Sequence, residues 1–496
     1  MKLNATKFLF ALLFLGFLLS RCSNEYVPDP IRGETLAASQ CTSCHGLPQA
    51  ESLPKIIWEQ HVLPQKGHLL GFYENANRDT LLKETPNAEY PEQTVISAEE
   101  WADLQAYYLT NAPQTLPPSP TKVVVPELPL FQVLLAPVKM TPPSTSLVQI
   151  SRKGGFFVAD ANTESLYKFD ETYEVDREAK TGGMVTDLDE FATTLGLTVS
   201  NTNTQKGLLL GLPLERTRPP TVLIRDLQMP LQSLTGNFSK QQNNQFVIAE
   251  SDTWSGQLSI WSVQDGQYQP RVLKKAAGAI RAISRDLNSD GLLDIICLFG
   301  ANTQGVFAFY NQGDGTFREE NLLSFEVGFG STYFNLQDLD QDNDLDLVIS
   351  NGAPGNYPPI LQANHGIRYY TNDGNNQFTE SFFYPLNGAQ KVLPADYDQD
   401  GDLDIAVIAY YPDFQNHPEQ SFIFLENQGN GQLTARTFAE VQSGRWLTMD
   451  TGDLDLDGDL DLILGSFAQK IQPAVGLYEQ WLEKGIPFVV LENQLK

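Results

Sequence analysis

The chain has 496 residues, with 33 Lys and Arg against 61 Asp and Glu, a formal net charge of −28. That balance argues against nucleic acid as a partner, because phosphate recognition needs basic stripes. With 41% hydrophobic and only 19% charged residues the chain is no disordered polyanion, and its length suits one large domain plus one or two small ones.

Lys2 and Lys7 precede an apolar run, residues 8–19, too short to span a bilayer but suited to the core of a secretory signal. Leu19-Ser20-Arg21-Cys22 follows and resembles a bacterial lipobox, which implies lipidation at Cys22; Arg21 stands where that pattern has Gly, Ala or Ser. Residues 1–22 are predicted to be a lipoprotein signal peptide and 23–32 a polar tether. The expected location is the periplasm, outer membrane or cell surface, with the membrane contacted only through the lipid anchor.

Only four cysteines occur: Cys22, Cys41, Cys44 and Cys297. Cys41-Thr42-Ser43-Cys44-His45 has the spacing of c-type haem attachment. Two thiols three positions apart each add to a vinyl group on the porphyrin edge, and the next residue sets an imidazole beneath the iron. A CxxC pair also serves redox dithiols and zinc sites, but the export signal and the lack of a second pair favour haem. Cys297, in an apolar strand, reads as core.

The flanking sequence resembles a small cytochrome c domain. Residues 33–38 read as a first helix, Pro48 follows the haem motif, and 97–109 reads as a closing helix. Ser97 and Glu100 form a capping box there, and Trp101, Leu104, Tyr108 and Leu109 share one face. The resemblance implies an all-α haem domain over 33–112. In such cytochromes Val-Leu-Pro-x-Met supplies a thioether ligand, but here Val62-Leu63-Pro64-Gln65-Lys66-Gly67-His68 places Lys66 at the Met position. His68, two residues past that position, is the expected sixth ligand, with Lys66 and His61 as alternatives, or the position is open. Nitrogen ligation implies a lower reduction potential than thioether ligation; an open site implies peroxidase-like chemistry or small-molecule binding.

Residues 113–122 are predicted to be a stiff Pro-rich linker leading into a domain over 123–496. In that domain the acids fall into register. The strings are Asp286-x-Asn288-x-Asp290-Gly291-Leu292-x-Asp294, Asp338-x-Asp340-x-Asp342-Asn343-Asp344-x-Asp346, Asp396-x-Asp398-x-Asp400-Gly401-Asp402-x-Asp404 and Asp453-x-Asp455-x-Asp457-Gly458-Asp459-x-Asp461. Their starts lie 52, 58 and 57 residues apart, the kind of period that marks a propeller or solenoid. Each acidic loop runs into an apolar strand (292–299, 345–349, 403–409, 460–464). After the first three, a second strand (306–310, 367–371, 422–426) ends in a Gly/Asn hairpin turn. The same grammar without the acids begins at Asn237. A mean period of 54 over 121–496 predicts a mainly β fold with seven blades, the first two faint in sequence around 148–169 and 185–224.

Such a loop suits Ca²⁺: side-chain oxygens at alternating positions point inward, position 7 offers a carbonyl, and the acid at position 9 completes a hard-oxygen shell. Gly at position 6 permits the turn, and Asn343 tolerates the same left-handed backbone. The strings resemble the Ca²⁺ loops of FG-GAP/VCBS repeats, the propeller family that includes integrin α-subunit heads. That resemblance implies ligation by Asp286, Asn288, Asp290 and Asp294 and the matching positions, with backbone oxygens from Leu292, Asp344, Asp402 and Asp459 and those Asp side chains outside the shell. His365 and His417 read as surface loop residues, and no hydrolase or zincin motif is present. The leading expectation is an envelope-anchored electron-transfer protein carrying haem c beside a Ca²⁺-braced docking propeller, served by a redox partner protein. The alternatives are a glycan- or surface-protein-binding propeller with ancillary haem, and a haem-dependent oxidoreductase.

Overall fold

Seven four-stranded antiparallel sheets form the larger part of the molecule. The computed structural model describes residues 26–495 except 41, 43–45, 75, 86–87, 121, 192, 202–203, 205, 216–217, 240–243, 252–254, 302, 355–357, 430–431 and 470–475. Cys22, Cys41, Cys44 and His45 therefore lie outside the described residues. The blades span 145–180, 184–227, 230–274, 279–324, 331–385 and 389–436, and the seventh joins 446–493 to the strand Phe131–Leu135. The predicted seven-bladed propeller is thus the observed one, including the two blades that are faint in sequence.

The second strand of each blade is buried on both faces. Asp294–Gly300, Asp346–Asn351, Asp404–Ala409 and Asp461–Ser466 lie against neighbouring blades on either side, which is why they read as continuous apolar runs instead of alternating ones. Cys297 is among them, fully buried and with its thiol pushed up by burial. The ring closes through Phe131–Leu135, which pairs antiparallel with Phe488–Asn493 as the outermost strand of the last blade. One sheet thus ties the start of the propeller to its end.

The helical part comprises α1 (Pro30–Gln40), a run of Lys55–Ile57, a π-type turn Trp58–Val62 and α2 (Leu63–Leu69), then α3 (Arg78–Glu84) and α4 (Ala98–Asn111). The capping box at Ser97 and Glu100 is present. Trp58 stacks on Tyr108 at 4.1 Å between centroids and donates to the Ala50 carbonyl at 2.8 Å. A Cβ at Gly33 would fall 2.0 Å from the Asp103 carbonyl, so glycine there lets α1 cross α4 at contact distance.

Two boundaries differ from expectation. The tether expected to reach residue 32 is pinned in its second half. Tyr26 donates to Asp103 at 2.6 Å, the Asp29 amide donates to it at 2.7 Å, and Arg32 pairs with it at 3.2 Å. Burial pushes the Asp103 carboxyl up, but these partners outweigh burial and hold it below the ordinary range. The linker is also attached: Pro113 accepts from the Lys55 amide at 2.8 Å, and Ser119 donates to Asn387 at 3.0 Å. Ile360 of the propeller packs on the helical core, so the linker spans a contact, not a gap. Among the described residues no helix is long and apolar enough to cross a membrane.

Candidate functional site

A cavity of about 940 Å³ lies between the helical part and the propeller, within the ~300–1,000 Å³ range of cofactor and ligand sites. Gln40 and Pro48, which bracket residues 41–45, both line it. Its helical wall is mostly apolar, with Trp58, Leu63, Leu69, Leu70, Leu104 and Tyr108. The linker contributes Leu116 and Pro117, and the propeller contributes Phe325, Val327 and Phe329 from the loop between blades 4 and 5. Phe325 and Phe329 stack at 4.2 Å. A Cβ at Gly46, the residue after His45, would sit 3.7 Å from Val327 Cγ2. The chain leaving the CxxCH motif therefore meets the propeller directly.

Lys66 lines this cavity, whereas His61 and His68 are not among its walls. His68 lies 6.0 Å from Tyr73 in a stacked arrangement, and burial lowers its pKa. The other wall cation is Arg368, only 8% exposed. It pairs with Glu380 at 3.2 Å, donates to Asn351 and lies 4.1 Å from the Phe383 ring centroid and 5.0 Å from that of Phe329. The acids on the wall, Glu51, Glu89, Glu326 and Glu380, are all exposed.

His365 departs from expectation. It is buried, with neither ring nitrogen hydrogen-bonded, and burial, reinforced by the Arg368 charge, lowers its pKa to about 4. It follows the cavity-lining Asn364 directly. No local pattern in the sequence marks its burial. His417 is partly exposed and pairs with Glu419 at 3.0 Å.

The four acidic loops each join the innermost strand of blades 4 to 7 to the second strand. In the first, the Asp290 and Gly291 amides donate to Asp286 at 3.1 and 2.8 Å; Asp338 and Asp396 receive the same pair of bonds. Position 6 is left-handed throughout, at Gly291, Asn343, Gly401 and Gly458, as the sequence requires. Position 4 is left-handed too, at Ser289, Gln341, Gln399 and Leu456, a strain with no sequence signal, since Leu disfavours that region.

Ligand atoms of Asp338, Asp340 and Asp346 gather within 4.8 Å of one another, as do those of Asp396, Asp398 and Asp400 and those of Asp453, Asp455 and Asp461. The side chains of Asp344, Asp402 and Asp459 carry buried oxygens without hydrogen-bond partners. Burial first, then the neighbouring Asp457 and Asp455, raise the Asp459 carboxyl to about 6. Carboxylates this crowded, with a buried oxygen of Asp453 likewise unsatisfied at a ligand position, fit a hard divalent cation.

The acid at position 9 has a second job that sequence reasoning missed. Asp294 accepts from the Leu287 amide at 3.0 Å and from the Asn311 amide at 2.8 Å. Asp346 is held likewise by Leu339 and Asn372, Asp404 by Tyr397 and Asn427, and Asp461 by Leu454 and Asn493. Each of these asparagines ends the third strand of its blade, and its side-chain amide donates back to the carbonyl at loop position 8. The recurrent Asn was legible only as a turn residue.

Residues 286–349 match the model of the FG-GAP-like repeat family. A search of curated proteins gives no match. Among solved structures the chain is similar to an ancestral GH74 enzyme, at 11% identity and TM-score 0.45, over 72% of this chain and 49% of the other. It is also similar to Saccharomyces cerevisiae Sqt1, at 8% identity and TM-score 0.43, over 72% of this chain and 98% of the other. The chain spans about half the length of the first of these. The larger domain is a seven-bladed β-propeller bearing an FG-GAP-like repeat, an architecture that suggests a binding or recognition module.

Proposed function

We propose that the protein is an exported electron carrier, lipid-anchored at Cys22, in which haem c attached at Cys41 and Cys44 fills the cavity between the helical part and a Ca²⁺-braced propeller. The observation that carries this reading is the cavity itself. Its largely apolar wall includes Gln40 and Pro48, which lie on either side of the attachment motif in sequence. Haem supplies one-electron chemistry when bound. The chain supplies its surroundings: Trp58, Leu63, Leu104 and Tyr108 give the cavity an apolar lining, and Lys66 lies on its wall. Of the three candidate sixth ligands we assign Lys66, the only one on the cavity wall. The acidic loops take Ca²⁺ as structural ions, with Asp338, Asp340 and Asp346 and their counterparts as ligands. These ions fix the loops that connect the innermost strand of each of these blades to its second strand.

The test is the absorption spectrum of full-length protein matured in a host competent for covalent haem attachment, oxidised and reduced. A reduced c-type spectrum, turning five-coordinate in Lys66→Ala, is expected. Protein without haem absorption refutes the electron-transfer reading and leaves a propeller whose surface ligand would be sought on glycan or protein arrays.

A further inference from the structure

We infer that the propeller is part of the haem site, with Arg368 as the positioning residue for the haem carboxylates. This inference rests on the reading that haem occupies the cavity. Three observations carry it. The loop between blades 4 and 5 forms one wall through Phe325, Val327 and Phe329. Gly46, just past the attachment motif, abuts Val327. Arg368 lies on the same wall, on the strand Gly366–Asn372.

A haem enters its pocket with two carboxylates that need cationic or hydrogen-bonding partners, and a planar guanidinium meets carboxylates with paired donors. Lys66 and Arg368 are the cations among the described wall residues, and Lys66 faces the iron in the reading above. Arg368 is the one already fixed in direction, by Glu380, Asn351 and the Phe329 and Phe383 rings. Arg368 is the buried cation on the propeller side, and its Glu380 partner is exposed. The potential of the haem is then set by the propeller as well as by the helical part.

The experiment uses the full-length haem-loaded protein in spectroelectrochemical titrations between pH 6 and 8. Removing a cation beside the haem favours the ferric state, so Arg368→Gln is expected to raise the ferric-to-ferrous ratio about tenfold at fixed ambient potential, about 59 mV for a one-electron couple. It is also expected to make the potential more pH-dependent, as a haem carboxylate loses its partner; Arg368→Lys restores most of the shift. Val327→Asp, in a loop outside the strands, places a negative charge on the same wall and is expected to move the ratio in the same direction. It decides the matter where Arg368→Gln fails to fold. Haem present with both variants at the wild-type potential overturns the inference, whereas wild type lacking haem refutes the underlying reading instead.

Discussion

Asn493→Ala tests whether the asparagine latch holds the propeller closed. Asn493 is 3% exposed and ends the strand that pairs with the N-terminal closing strand. Its side-chain amide donates to the Tyr397 carbonyl in the sixth blade's loop at 2.8 Å and to the Leu460 carbonyl in the seventh blade's loop at 3.1 Å, while its oxygen accepts from the Leu495 amide at 3.2 Å. Alanine keeps the backbone bond to Asp461 and leaves those two carbonyls without their donor. At about 1–3 kcal/mol for each buried group left unsatisfied, partly relieved by water at the loop, the expected loss is about 3 kcal/mol. At about 2 °C per kcal/mol for a large domain, the melting transition falls by about 6 °C. Urea unfolding followed by tryptophan fluorescence measures the loss, with the exposed Asn375→Ala as a control that stays within about 0.5 kcal/mol of wild type. A variant indistinguishable from that control refutes the latch.

Calcium chelation is expected to lower stability by up to about 2.7 kcal/mol per site lost from a hundredfold excess over Kd. Hydrogen exchange should rise in 279–466 and not in α1 or α4; equal melting curves in calcium and chelator would refute bound structural ions. Asp187, on the innermost strand of the second blade, has its carboxyl raised by burial to about 7 against an ordinary 3.8, with Arg281 only partly offsetting. The folded state therefore holds a proton that the unfolded state has released between those values. This group's contribution is full below pH 4 and is lost as pH rises through 7. Asp187→Asn should flatten that slope in urea midpoints taken at pH 5.5 and 8. Trp58→Ala removes the stack on Tyr108 and the bond to Ala50 and should cost about 3–5 kcal/mol in the helical part alone, read as a separate early transition.

Features that depend on local spacing were legible in the chain alone. The CxxCH motif, the capping box at Ser97 and the 52- to 58-residue recurrence of aspartates are patterns of neighbours. A loop that must turn sharply writes its demand into position 6, as Gly291 and Asn343 do. The blade count followed from the period, because each blade repeats one local grammar. Which distant residues meet is set by how the sheets pack. Phe131–Leu135 closes a blade whose other strands lie more than 300 residues away. His365 is buried, and Arg368 of the propeller faces the same cavity as Trp58 and Lys66 of the helical part. Burial and convergence depend on how sheets stack around an axis, and no window of sequence contains that information. The −28 charge shows the division: eighteen of the 61 acids sit in the four loops, three in the first and five in each of the others. Their clustering was legible, but their orphaned buried oxygens and the asparagines that hold position 9 emerged only when the third strand of each blade was folded against its acidic loop.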